Sequence, residues 1–405
     1  MIENNKPLAG ITVIELATFV AGPTCSRVLA DWGANVIKIE PPKGDPMRMM
    51  GSLVDMPIDD DENVAFDQQN SNKRGIVLNL KDSEAMVVLE KLLSKADVFL
   101  TNNRHDALLK MGLTYGQLKE KYPSLVYAHM LGYGEKGPDK DKAGFDLTAY
   151  YARGGISGTL YEKGTSPLLT VAAFGDHQAG VYLASGICAA LYNTKRTGKG
   201  EKVSVSLLHT AIFGMGHMIV SAQYGGNKYP RSRKDTANPL QAAFKTKDGR
   251  WIQCAINAYN KDFGKFCTIL GLEYLIGDER YCKFENIKDN PREIIGIFDE
   301  AFKTKDVDEW VELFGENDLP CDKEVTWEEI LEDEQVWADD ILSKVGGYKK
   351  GKERILVNTP VKFKNMGLPE VNKGPKLGEN TDEVLREFGY KDANIFSMKE
   401  KGIVK

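Results

Sequence analysis

Over the first 130 residues, short apolar blocks alternate with polar stretches that carry apolar residues at helical spacing. Residues 11–17 (Ile-Thr-Val-Ile-Glu-Leu-Ala) predict a buried strand, and Gly22-Pro23 opens a helical stretch through Trp32. Asn35–Glu40 predicts the next strand, stopped by Pro41-Pro42. Strand, helix and strand within about thirty residues make a βαβ unit, hence a parallel sheet with right-handed crossovers. The pattern continues with a strand at 75–80, a helix at 83–93, a strand at 97–100, a helix at 107–111 and a strand at 125–131. The fold class expected for this half is doubly wound α/β.

Residues 175–193 read as a helix with small and apolar residues on several faces, the mark of a buried helix packed closely by its neighbours. Gly198 and Gly200 end it, and 203–208 alternates like a strand. After a break at Gly225-Gly226, strands at 242–245 and 251–256 flank Lys247-Asp248-Gly249, a signal for a type I′ hairpin. With helices from about 260 to 315 these predict a smaller α+β domain. The C-terminal stretch reads as coil and short strand before a last helix at 381–388.

Composition narrows the function. The chain has 405 residues, 42% hydrophobic and 27% charged, as expected of a folded chain of two or three domains. A net charge of −5 gives no general attraction for nucleic acid or anionic membranes, so an anionic ligand needs a local cluster of positive charge. The six cysteines stand far apart without zinc spacing, which argues against a structural metal and for reduced thiols in a cytoplasm. Residues 1–10 are polar and lack the apolar core of a secretory signal. No apolar stretch approaches the ~18 residues of a membrane span.

Three groups of residues could carry chemistry. Gly132-Tyr133-Gly134-Glu135-Lys136-Gly137 spells a dinucleotide fingerprint, but Pro138 and Asp139 follow where a helix should begin, so the sequence favours a glycine loop beside a site. Asp176 stands where an apolar run meets the small-residue helix. It reads either as an N-cap or as a carboxylate nucleophile able to form a mixed anhydride with an acyl donor. Asn102, Asn103, Arg104, Lys73 and Arg74 flank the strands, where open parallel sheets bind ligands or where loops are simply polar. His129, His209 and His217 lie in apolar surroundings and read as core or site-lining residues. No G-x-S-x-G elbow accompanies His177, which leaves a hydrolase triad unsupported.

Several ordered blocks resemble the class III CoA-transferases of the CaiB/BaiF family. They are Val13-Ile14-Glu15-Leu16 with Ala21-Gly22-Pro23, the run Asp31 to Glu40, and Asn72-Lys73-Arg74 with Leu78-Asn79-Leu80. Ala96-Asp97-Val98 with Asn102, Gly175-Asp176 with Gly180, Thr197-Gly198-Lys199-Gly200, and Gly378-Glu379-Asn380-Thr381 complete the series. The resemblance implies a Rossmann-like large domain built from both chain ends plus a smaller α+β domain, in an interlocked homodimer. The expected boundaries are 1–205 for the first part of the large domain, 206–225 for a linker and 226–325 for the small domain. Residues 326–405 would form a linker and the completing C-terminal part.

It also implies roles. Asp176 becomes the catalytic nucleophile, forming an anhydride and then an aspartyl-CoA thioester, and Asp146 orients it. Val20, Ala21, Leu78, Asn102, Asn103, Lys110 and Lys142 become CoA contacts, while His177, Gln178 and Tyr150 face the acceptor acid. Coenzyme A thioesters are substrates, and no tightly bound cofactor or metal is implied. The basic residue usual after the second strand is replaced by proline, leaving Lys43 nearest, and the tetraglycine loop of the oxalate/formate branch is absent. The segments around Gly132, Arg153 and Asp176 are similar to those of enzymes that activate (R)-2-hydroxy acids in amino-acid fermentation. A 2-enoyl-CoA donor and 2-hydroxyisocaproate as acceptor are expected, with phenyllactate and cinnamoyl-CoA, or racemisation of a 2-methylacyl-CoA, as alternatives.

Overall fold

A computed structural model describes residues 6–225, 228–367 and 370–405. Gly226, half of the expected glycine break, and residues 1–5 lie outside them. The chain divides into two compact units, one of Met1–Ile156, Leu169–Val220 and Gln335–Lys405, the other of Ser157–Leu168 and Ser221–Glu334.

The larger unit is built on six parallel strands: β1 (Thr12–Leu16), β2 (Asn35–Glu40), β3 (Arg74–Val77), β4 (Val98–Thr101), β5 (Val126–Leu131) and β6 (Lys202–Ser206). Their order is β3-β2-β1-β4-β5-β6, so the winding reverses between β1 and β4. Successive side chains point to opposite faces. Val13, Val36, Val98 and Val126 meet the helices Ala21–Asp31 and Phe174–Thr197 on one face. Ile14, Ile37, Phe99 and Tyr127 meet Ser83–Leu93 and the C-terminal helices on the other. Both faces are thus covered, which is why the strands read as near-continuous apolar runs.

The small residues of the long helix have a structural reason. A Cβ on Gly180 would lie 2.8 Å from Thr24 Cβ and 2.9 Å from the Ala21 carbonyl oxygen, so only glycine lets the two helices touch there. The C-terminal residues return to the same sheet. Val404 bridges Leu78, and Val384 and Leu385 of the helix Thr381–Glu387 are buried in the core. A further helix, Asp392–Glu400, follows the one expected to be last.

Three other expectations change. The strand expected over 203–208 stops at Ser206, whose hydroxyl accepts from the His209 N–H and starts the helix Leu207–Gly214. Residues 206–225, read as a linker, therefore contain that helix and Gly216–Ser221. In the smaller unit, β7 (Ala243–Lys245), β8 (Trp251–Cys254) and β9 (Cys321–Lys323) form an antiparallel sheet over a core rich in aromatic rings, among them Phe244, Phe266, Phe298 and Trp310. The β7–β8 turn is not type I′. Only Gly249 takes a positive φ (+82°), the Gly249 N–H donates to Thr246 O, and the Thr246 N–H donates to Arg250 O. That is the three-residue hairpin that places glycine at its left-handed position. In the larger unit β10 (Leu342–Val345) and β11 (Arg354–Val357) form an antiparallel pair, in keeping with the coil and short strand expected in the C-terminal stretch.

Candidate active site

Where the winding of an open parallel sheet reverses, the loops leaving the strands part and open a crevice at their carboxyl ends. A cleft of ≈ 460 Å³ lies there. Thr18, Phe19, Val20 and Ala21 enter it from the end of β1, and Asn102, Asn103, Arg104 and His105 from the end of β4. Gly132, Gly134, Lys140, Lys142 and Phe145 come from the loop after β5, and Asp176 from the start of the long helix. The glycine loop is thus a wall of this cleft.

The strand ends are fastened to each other by the asparagines. Asn102 accepts from the Thr18 N–H (3.1 Å) and donates to Thr18 O (2.7 Å), while Asn103 Nδ2 donates to Leu16 O (3.0 Å). His129 Nε2 lies 2.9 Å from Asn103 O, and burial lowers its pKa, so the ring is neutral and donates there. Val20, Ala21, Asn102, Asn103 and Lys142 therefore meet in one cleft, but the amides hold its wall, and their polar groups are largely spent. Positive charge comes from Arg104, Lys140, Lys142 and Lys202, the last paired with Glu135 at 2.6 Å. Lys142 also stands 5.4 Å over the Tyr133 ring.

Asp176 is not the N-cap. The helix begins at Phe174, and the residue before it, Ala173, takes a left-handed φ of +70° and supplies no side-chain cap. A carboxylate from a distant segment faces this uncapped start. Asp146, on a π-helical turn (Asp146–Ala152), is 5% exposed, and its carboxylate faces the N–H groups of residues 173–176. No donor reaches its oxygens at close hydrogen-bonding geometry. Burial raises its pKa, and those N–H groups offset part of the rise. The approach is tight enough that a Cβ on Gly175 would lie 2.2 Å from the Tyr150 ring and 2.5 Å from Asp146 Oδ1. Burial first, and the Asp146 charge second, push the Asp176 carboxyl up to about 7. Asp176 is thus a carboxyl with a raised pKa in a desolvated position beside a second carboxylate, at the foot of an open cleft.

Other expected site residues lie elsewhere. Leu78 is fully buried beneath β3, its N–H donating to Glu40 O and its carbonyl accepting from the Leu80 N–H, and it does not line the cleft. Lys110 and Lys43 are exposed and do not line the cleft. His177 and Gln178 face a different, mainly apolar hollow of ≈ 920 Å³ shared with Arg27, Val181 and Tyr182. His177 Nδ1 lies 2.7 Å from Ala173 O and Nε2 3.1 Å from Gln69 Oε1, and Tyr150 donates to Gln178 Oε1 at 3.1 Å. Adjacent helix positions point in different directions, which is why neighbours of Asp176 in sequence are not its neighbours in the cleft. Phe19 was not expected there. Its signal is weak, an aromatic residue beside Val20 and Ala21.

The family model for CoA-transferase family III matches residues 8–381. The chain belongs to CoA-transferase family III. It is 50% identical over 398 residues to the (R)-2-hydroxy-4-methylpentanoate CoA-transferase of Clostridioides difficile, covering 98% of this chain and 99% of that one. It is equally 50% identical over 408 residues to the cinnamoyl-CoA:phenyllactate CoA-transferase of Clostridium sporogenes, covering 100% and 99%. Among solved structures, a CaiB/BaiF family protein from Brucella suis superposes with a TM-score of 0.81 at 28% identity, covering 95% of this chain and 100% of that one. This transferase therefore has a parallel six-stranded α/β fold shared with its family and acts on CoA thioesters. Among the described residues there is no cluster of metal ligands and no helix long and apolar enough to cross a membrane.

Proposed function

We propose that the enzyme moves CoA from a 2-enoyl-CoA to an (R)-2-hydroxy acid, with (R)-2-hydroxyisocaproate as its acceptor, through covalent intermediates on Asp176. The observation that carries this is the Asp176 carboxylate in the switch-point cleft of a chain equally similar to two transferases named for 2-hydroxy acids. Ionised Asp176 attacks the donor thioester, forming an acyl-aspartyl anhydride and releasing CoA thiolate. The thiolate attacks the aspartyl carbonyl, giving aspartyl-CoA and the free donor acid. The acceptor carboxylate then displaces the thiolate to form a second anhydride. Thiolate attack on its acceptor carbonyl yields the product and restores Asp176. A desolvated carboxylate with a pKa of about 7 is a stronger nucleophile than a solvated one, yet is still substantially ionised at neutral pH.

Val20, Ala21 and the Asn102–Asn103 wall lie where the CoA chain would run, and Arg104, Lys140 and Lys142 supply charge for its phosphates. Asp146 faces the helix start, and its charge keeps Asp176 from ionising too readily. The racemase alternative needs His177 as an acid or base beside Asp176, and its two ring nitrogens are engaged with Ala173 and Gln69. The test is to incubate the enzyme with 4-methylpent-2-enoyl-CoA and hydroxylamine and map the product by mass spectrometry. A hydroxamate on Asp176 is expected, and its absence during turnover rejects the covalent route. A cytoplasmic, interlocked homodimer follows from the same family reading. Sedimentation should show a dimer at every dilution, and a folded monomer would reject interlocking.

A further inference from the structure

Beneath the cleft lie four charged side chains with 0% exposure, Glu15, Lys38, Asp45 and Lys73. Lys38 Nζ stands 2.9 Å from both Glu15 and Asp45, and Lys73 Nζ 2.9 Å from Glu15, giving two positive and two negative groups. Burying four charges is costly, and apolar residues of similar volume generally serve stability as well or better. Of the bonds these groups make outside the cluster, three reach one segment, while Lys73 also donates to Asn70 Oδ1 (2.9 Å) and Glu15 accepts from the Ser26 hydroxyl (2.7 Å). Lys38 donates to Ala17 O (2.9 Å), Lys73 donates to Pro23 O (2.8 Å), and Asp45 accepts from the Phe19 N–H (3.0 Å). Asp45 is itself held, its N–H donating to Glu40 Oε2 (2.8 Å) and its carboxylate accepting from the Met47 N–H (2.9 Å).

The segment held in this way is the turn from β1 into the following helix, the wall of the cleft carrying Thr18 to Ala21. Its backbone is strained, with Phe19 at φ +62°, a conformation bulky residues keep only where their surroundings impose it. The Phe19 ring in turn meets Phe145 edge-on at 5.9 Å, next to Asp146.

Resting on the reading of this cleft as the CoA site, we propose that the buried Glu15–Lys38–Asp45–Lys73 cluster is a positioning device that preorganises the Ala17–Pro23 turn for the CoA portion of every thioester. Asp45, through the Phe19 N–H, is its decisive member. Because the turn touches what all donors share, loosening it weakens different acyl-CoAs by the same factor. The energy of ordering the turn is supplied on folding, not on binding.

Two charge-balanced double variants test this. Asp45→Asn with Lys38→Met keeps an oxygen for the Phe19 N–H, while Asp45→Ala with Lys38→Met does not. The alanine pair should raise KM for acyl-CoA at least tenfold with kcat little changed, equally for short and long acyl groups. The asparagine pair should restore KM to within about threefold of the parent. Loss of active enzyme with KM unchanged, or an equal KM in both variants, overturns the proposal in favour of a purely structural role. Amide exchange on the unaltered protein needs no variant. The Phe19 N–H should exchange as slowly as those of β1 and slow no further with saturating CoA, and exchange at the rate of an open loop overturns the clamp. CoA affinity by calorimetry keeps the two readings apart, since a cluster effect on CoA binding stands even if no transfer to 2-hydroxy acids is found.

Discussion

Replacing Asp176 by asparagine should stabilise the protein at pH 8 while abolishing transfer. The carboxyl is raised from an ordinary value of 3.8 to about 7 by burial and by the Asp146 charge. At about 1.36 kcal/mol per pH unit, the difference amounts to about 4 kcal/mol of disfavoured ionisation. A negative charge in the first turn of a helix recovers about 0.3–1 kcal/mol, and the two carboxylates titrate as a pair, so a net gain of about 2–3 kcal/mol is expected. The sign follows from proton counts. Between pH ~4 and ~7 the unfolded chain has released the Asp176 proton and the folded chain has kept it, so the native enzyme loses stability as pH rises through this window. The asparagine variant has no such proton. Urea unfolding at fixed protein concentration, repeated from pH 4.5 to 8.5, should therefore show a gap that is small at the acid end, widens up to about pH 7 and levels off above it. A gap that is independent of pH, or a variant less stable at pH 8, would refute the assignment of a raised pKa to Asp176. Turnover by the folded variant would refute its role as nucleophile.

Gly175→Ala should lose transfer and about 1–3 kcal/mol of stability, since its Cβ would enter the Tyr150 ring, and thermal unfolding with a turnover assay checks both. Leu78→Ala should cost about 2–5 kcal/mol in urea unfolding with KM for acyl-CoA unchanged, because Leu78 belongs to the core and not to the cleft. Arg104→Ala and Lys142→Ala should raise KM for acyl-CoA with kcat retained, and the effect should shrink as salt is added in steady-state assays. As acceptors, (R)-2-hydroxyisocaproate should outperform isocaproate by about a hundredfold or more, because a site that hydrogen-bonds a hydroxyl leaves its own groups unpaired with the analogue lacking it. Comparable kcat/KM values would reject a 2-hydroxy-acid site while leaving the transferase reaction intact.

What could be read from the sequence depended on whether the signal was local. The strands Asn35–Glu40 and 125–131 and the helix Ser83–Leu93 are patterned within themselves, and the structure places them within a residue of the reading. The β7–β8 hairpin was found but its type was not, because Asp-Gly fits two turns and the distinction rests on whether Asp248 or only Gly249 takes a positive φ. The second C-terminal helix, Asp392–Glu400, went unread because only Ile395 and Met398 are buried on it, too short a stripe to show a period. In the cleft, Asp176 is legible as a candidate, but its N-cap reading fails for a non-local reason. The group that faces the helix start is the Asp146 carboxylate, thirty residues earlier, and it meets those N–H groups only once the sheet has formed.

The expected site residues that lie outside the cleft do so for physical reasons. His177 and Gln178 were grouped with Asp176 because they adjoin it in sequence, yet a helix turns each successive side chain by about 100° and carries both into another hollow. The family resemblance implies Leu78 as a CoA contact. β3 lies at the sheet edge, however, two strands from the reversal between β1 and β4, and Val404 covers its end. In this fold the condition for lining the cleft is nearness to the point where winding reverses, with the loop after β5 as its other wall. That condition selects Val20, Ala21, Asn102 and Asn103, and it makes the β1 turn with Phe19 at its strained centre the part of the cleft whose geometry the buried charges have most reason to hold.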